Sequence, residues 1–178
     1  MRLAKVFTRA LVGINAPEVS VEVHIANGLP ALSIVGLPEA AVRESKDRVR
    51  AAIQNSHFEF PARRVTVNLA PADLPKDGGR YDLPIALGIL AASGQINTDM
   101  LMSHEFHGEL ALSGHLRPVT GSLPAALGAQ SSGRTLVLPA ENAGEAALVE
   151  NIDVRAASSL LAICQYLKQQ GKLQHPAS

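Results

Sequence analysis

Period-two alternation marks the start of the chain. In EVSVEVHIA, Val19, Val21, Val23 and Ile25 fall on one side of an extended segment and the polar residues on the other. AKVFTRALVG precedes it across the turn residues Asn15 and Pro17, and Asn27-Gly28-Leu29-Pro30 leads on into ALSIVGL. These three runs predict an antiparallel meander with one buried face. The period then becomes helical. Pro38 opens a segment reaching about Ser56, with Val42, Val49, Ala52 and Ile53 on one side and Arg43, Lys46 and Arg50 together on the other. RRVTVNLA returns to alternation through Val65, Val67 and Leu69. After a Pro- and Gly-punctuated loop, YDLPIALGILAAS is apolar almost all round, the pattern of a buried helix.

Past a linker near Asn97–Ser103, HGELALSG and HLRPV predict two strands, and SLPAALGAQSSG a small-residue helix ended by Gly133. RTLVLP predicts a strand, NAGEAALVEN a short helix, DVRAA a strand, and SLLAICQYLKQQG a last helix capped by Ser158 or Ser159. The order βββ-α-β-α-ββ-α-β-α-β-α is that of one mixed α/β domain over residues 1–168. Residues 169–178 have no apolar period and read as the start of a linker.

Composition narrows the function. With 178 residues, 47% apolar and 18% charged, the chain is long enough to bury roughly two-thirds of its unfolded surface. Net charge is zero, aromatics are 3% and Trp is absent, which argues against a base-stacking platform and leaves only local basic patches for nucleic acid. Cys164 reads as a buried thiol in an apolar helix. No stretch has the length and apolarity of a membrane span or a signal peptide, so a cytoplasmic protein is expected.

The candidate chemistry sits in APADLPKDGGRYDLPI, between a strand and a helix. Lys76 and Arg80 bracket Gly78-Gly79, whose backbone amides could meet an anion or could merely permit the turn. No P-loop string and no G-x-G-x-x-G after a strand occurs. For metals, His104-Glu105-Phe106-His107 and the set Asp73, Asp77 and Asp82 lack ligand spacing. They are read as solvated polar residues bounding strands. The basic stripe Arg43, Lys46, Arg50, continued by Arg63 and Arg64, could face phosphate. Glu39, Glu44 and Asp47 lie at i,i+4 or i,i+3 from Arg43, Arg48 and Arg50, so a self-neutralised solvated face is the default.

PKDGGRYD resembles the active-site loop of the Lon protease domain, where Pro-Lys-Asp-Gly shortly precedes the nucleophilic serine. HGELALSGHLRPVTGSLPAALGAQSSGRTLVLP is similar to the Lon stretch that carries the catalytic lysine at a helix start. More specifically, MRLAKVFTRALVGINAPEVSVEVHIANGLPALSIVGLP, VGLPEAAVRESKDRVRAAI and RRVTVNLAPADLPKDGGRYDLPIALGIL resemble the N-terminal domain of the ComM/YifB family of magnesium-chelatase-like AAA+ ATPases. The resemblance implies a Lon-protease-like domain of the ribosomal-protein-S5-domain-2-like fold. It places Arg80 at the serine position and Leu123 at the lysine position. A guanidinium cannot attack and a leucine cannot take a proton, so no catalytic residue and no peptidase activity are expected. Ser122 is adjacent, but only Lys76 could activate it.

The resemblance further implies a full-length ATP- and Mg-dependent helicase that promotes branch migration in homologous recombination during natural transformation. This domain itself is expected to hold no cofactor and no metal. Its expected partners are its own AAA+ domain, sister subunits of a homo-hexamer, and DNA held weakly, with no membrane. Lys76, Arg80, Arg43, Lys46, Arg50, Arg63 and Arg64 are the residues for DNA or subunit contact, with Asp77, Gly78, Gly79, Tyr81 and Asp82 as loop scaffold. The rival reading is a purely structural protein-interaction module with no DNA contact.

Overall fold

A computed structural model describes residues 2–76 and 78–176 of the chain. Strands β1 (Arg2–Arg9) and β2 (Glu18–Ala26) pair antiparallel, with Val6 opposite Val21. Strand β3 (Ala31–Val35) is followed by helix α1 (Glu39–Asn55) and strand β4 (Arg64–Ala70). The sheet order is β1-β2-β4-β3, antiparallel between β2 and β4 and parallel between β4 and β3. The expected three-strand meander is therefore corrected: only β1 and β2 follow it. The 17 residues of α1 are long enough to carry the chain across the sheet, as a parallel pair requires. Strand β4 then takes the place beside β2 that a tight hairpin would have given to β3.

One face of this sheet carries Val6, Val19, Val21, Val23, Ile25, Val65, Val67 and Leu69, all buried against helix α2 (Asp82–Ala92), on which α1 packs in turn. Every residue of α2 is buried, in keeping with its all-round apolar sequence.

A 3₁₀ turn at Leu101–Ser103, with Leu101 buried, leads into strand β5 (His104–Phe106). The short strands β6 (Glu109–Leu110) and β7 (Leu116–Arg117) form a hairpin. Then come helix α3 (Ser122–Ser131), strand β8 (Thr135–Pro139), helix α4 (Ala140–Ala146), strand β9 (Val154–Ala157) and helix α5 (Leu160–Leu167). Strands β5, β8 and β9 form a second, parallel sheet in the order β5-β8-β9. Alternation along β8 serves both of its faces. Leu136 and Leu138 pack with Ala126, Ala129, Ala143 and Ala146 of α3 and α4, while Val137 joins the main core with Phe106, Ile163 and Cys164. The Ser159 hydroxyl accepts from the Ala162 N–H at 3.1 Å and caps α5, one of the two serines expected there. Past residue 168 the chain stays docked: Leu173 is buried, and the Ala156 N–H donates to the Gln174 carbonyl at 2.8 Å. No helix among the described residues is long and apolar enough to cross a membrane.

Candidate functional site

The loop between β4 and α2 is pinned at its end. The Leu83 N–H donates to the Gly108 carbonyl and the Gly108 N–H to that of Arg80, at 3.1 and 3.3 Å. Arg80 is thereby drawn inward to 6% exposure. Its guanidinium donates to the backbone oxygen of Thr120 and, at 3.2 Å, to the Thr120 hydroxyl. Burial pushes its pKa down. Lys76 is also buried; its ammonium donates to the Leu74 carbonyl at 3.3 Å, and burial, countered by Asp73, lowers its pKa. Both expected contact residues of the loop are thus turned into the protein. Asp77 lies outside the described residues. Gly78 has φ of +73°, a left-handed conformation that side chains other than glycine adopt at a cost, and a Cβ on Gly79 would run into the Glu109 carboxylate. Tyr81 is buried, and its carbonyl accepts the Ile85 N–H inside the first turn of α2.

Asp82 gives the loop its firmest anchor. Its carboxylate accepts from the Ser45 hydroxyl at 2.8 Å, from Arg48 Nε at 2.6 Å and from the Leu110 N–H at 3.1 Å. One buried side chain so ties α1, α2 and β6 together. Burial pushes its carboxyl up against the opposing pull of Arg48, Leu110 and Ser45, while the Arg48 guanidinium, bonded to Asp82, is raised.

The helix stripe is placed differently. Arg43, Arg50, Arg63 and Arg64 are exposed and Lys46 is half-buried. Arg50 lies over the Phe60 ring at 4.3 Å. The expected self-neutralisation does not form around the stripe. Among the described residues, the ion pair within α1 is Arg48 with Glu44, at 3.6 Å, and Arg43, Lys46 and Arg50 have no carboxylate partner.

His104-Glu105-Phe106-His107 also departs from expectation: these are buried residues of β5, the edge strand of the second sheet, and of its end, where solvated polar groups were expected. Glu105 accepts from Arg9 Nε at 2.7 Å and Arg9 Nη2 at 2.8 Å, and from Arg134 at 3.1 Å. Arg134 reaches on to Glu18 at 2.5 Å and stacks 3.7 Å from the Phe7 ring. Burial alone would raise the Glu105 carboxyl, but His107 and Arg9 outweigh it and hold it at about 2. His107 Nε2 lies 3.9 Å from Glu105, and burial, together with the charges of Arg80 and Arg9, keeps this imidazole below its ordinary pKa. Sequence reasoning missed this network. Its one visible signal was a charged residue, Arg9, inside the apolar run VFTRALV. Among the described residues no three His, Cys, Asp or Glu side chains group to hold a metal ion.

At the two positions the Lon resemblance assigns to a serine–lysine dyad stand Arg80, bonded to Thr120, and Leu123, 38% exposed. Comparison with known proteins decides the family. The model of the family described as subunit ChlI of Mg-chelatase matches residues 21–142, more than half of the chain. The chain belongs to this Mg-chelatase-like family. It is 54% identical over 173 residues to the competence protein ComM of Haemophilus influenzae, covering 97% of this chain and 34% of that protein. It is 50% identical over 176 residues to the uncharacterized protein YifB of Escherichia coli, covering 99% of this chain and 35% of YifB. The chain corresponds to the N-terminal portion of these relatives and spans about a third of their length. A more distant likeness, 30% over 132 residues, joins 68% of the chain to 16% of a Lon protease from Chloroflexus aurantiacus.

Proposed function

We propose that this chain is the non-catalytic, Lon-protease-like domain of a ComM-type AAA+ ATPase, with the ribosomal-protein-S5-domain-2-like fold over residues 1–168 and a docked tail leading on from residue 169. The full-length protein is a cytoplasmic, ATP- and Mg-dependent DNA helicase. It promotes branch migration in homologous recombination during natural transformation. Within it, this domain assembles and orients the hexameric ring through protein contacts and holds no cofactor of its own. The observation that carries this reading is the inward packing of Arg80, Lys76 and Asp82: a loop lacking nucleophile and base is kept rigid and closed by buried polar contacts. Such a loop is suited to presenting a fixed surface, and ill suited to tracking a phosphate backbone.

The test uses the full-length ATPase with and without residues 1–168. Sedimentation should show the hexamer weakened by the deletion, and unfolded casein and serine-directed probes should show neither cleavage nor labelling of this domain. A deletion that leaves both hexamer and branch migration intact refutes the assembly role, and labelling of Ser122 refutes the loss of peptidase chemistry. DNA guidance is the second reading, favoured by the exposed Arg43 and Arg50, neither of which pairs with a carboxylate among the described residues.

A further inference from the structure

Arg80 is 6% exposed, yet among the described residues no carboxylate pairs with it, and the hydrogen bonds of its guanidinium go to Thr120. A buried cation without a counter-charge carries a desolvation penalty that a facing anion would offset. The guanidinium lines two adjoining recesses. One, of about 130 Å³, is walled by Leu11, Pro75, Tyr81 and Thr120. The other, of about 190 Å³, is walled by Gly78, Gly79, Glu109, Pro118, Val119 and Thr120, and the guanidinium bonds there to Thr120 and not to Glu109. Thr120 leads directly into α3, a helix of 10 residues whose N-terminus no side chain caps. The amides of Ser122 and Leu123 add the positive end of that helix beside the recess.

The surroundings select the kind of anion. Leu11, which lines the Arg80 recess, also packs against Gly121 at the start of α3. From there the surface is apolar: Ile14 is 87% exposed, Leu127 50% and Leu123 38%, and Pro124 lines the groove between Ile14 and Leu127. A nucleic-acid strand needs a row of cations to replace its counterions. Here one buried guanidinium stands beside an apolar lip, and the Lys76 ammonium is committed to the Leu74 carbonyl. We propose that this recess receives the side-chain carboxylate of one aspartate or glutamate, carried on an apolar segment of a partner polypeptide. The proposal deepens the docking role given above, and its test needs neither the ATPase nor the hexamer.

The isotope-labelled chain is titrated with the blocked peptide acetyl-Leu-Asp-Leu-amide, with its Asn counterpart, and with inorganic phosphate at matched ionic strength, and followed by NMR. The Asp peptide should shift the Arg80 Nε–H and the Ser122 and Leu123 amides, half-saturating at roughly 1–10 mM, a weak affinity suited to a single contact. The Asn peptide should bind at least about tenfold more weakly, the usual cost of losing a charge-assisted hydrogen bond. R80Q should abolish the difference between the peptides, and R80K should restore part of it. Equal shifts from the Asp and Asn peptides, an unmoved Arg80 signal, or phosphate saturating below the Asp peptide each overturns the proposal. Should R80Q fail to fold, the Asp–Asn comparison on the unaltered chain still decides. A positive titration beside an unaffected hexamer would keep this site and discard the assembly role.

Discussion

Replacing Glu105 by glutamine removes one charge from the centre of the molecule while nearly preserving volume. Glu105 is fully buried between Arg9 and Arg134, and its carboxyl is held at about 2 in the fold against an ordinary 4.5. At 1.36 kcal/mol per pKa unit, that difference amounts to about 3 kcal/mol of stability at pH 7. The folded pKa is depressed, so the contribution is fully present above 4.5 and is lost as pH falls towards 2. By the same linkage relation about 1 kcal/mol remains at pH 3. Urea denaturation followed by circular dichroism should therefore show E105Q less stable than the parent by about 3 kcal/mol at pH 7 and by about 1 kcal/mol at pH 3. Other carboxylates titrate in both proteins, and the difference between the two isolates Glu105. A deficit below about 0.5 kcal/mol at pH 7, or one that does not shrink in acid, would refute the reasoning. The apolar double variant R9M/E105L supplies a control, because it removes the buried pair together and leaves Arg134 its bond to Glu18. It should recover most of the loss.

D82N should cost about 2 kcal/mol, since Arg48 loses its charge-assisted hydrogen bonds at the junction of α1, α2 and β6 and keeps Glu44, whereas S45A, removing one neutral donor, should cost about 1 kcal/mol; urea midpoints check both. Under the DNA-guidance reading, R43A/R50A should flatten the log–log salt slope of DNA binding by about two units, one for each phosphate no longer neutralised, and an unchanged slope would discard that reading. K76A should leave that slope unchanged because Lys76 is buried, and a change with K76A would contradict the inward packing of the loop. The Cys164 thiol, pushed up to about 12 by burial, should not react with a disulfide reagent at pH 8 until the chain is unfolded in urea.

Local periodicity carried most of the elements, because each registers within a few residues: Val19 to Ile25 as alternation, the α2 run as all-round apolarity, Ser159 as a cap. Pairing between distant segments was not legible. Glu105 reads as solvated until Arg9, 96 positions away, supplies its counter-charge, and Asp82 reads as a loop residue until Arg48 reaches it. The glutamate that the helix pattern matched to Arg48 is Glu44, and that pair exists, but the shorter bond of Arg48 goes to Asp82. Arg80 looked like a free cation because nothing local indicates that Gly108 draws the loop inward. The neighbour of β3 was misjudged for the same reason: a turn sequence shows that the chain reverses, and says nothing of a later strand arriving between.

That late arrival has a consequence for how the molecule comes into being. A ribosome releases β1, β2 and β3 before β4 exists, and the two strands that flank β4 cannot satisfy each other's backbone groups in the final register. Until residue 70 has emerged, β2 and β3 both present open edges, the surface on which nascent chains pair wrongly with one another. Any fragment ending before β4 carries that hazard permanently, so breakpoints for shortened or fused forms of this protein belong beyond Ala70.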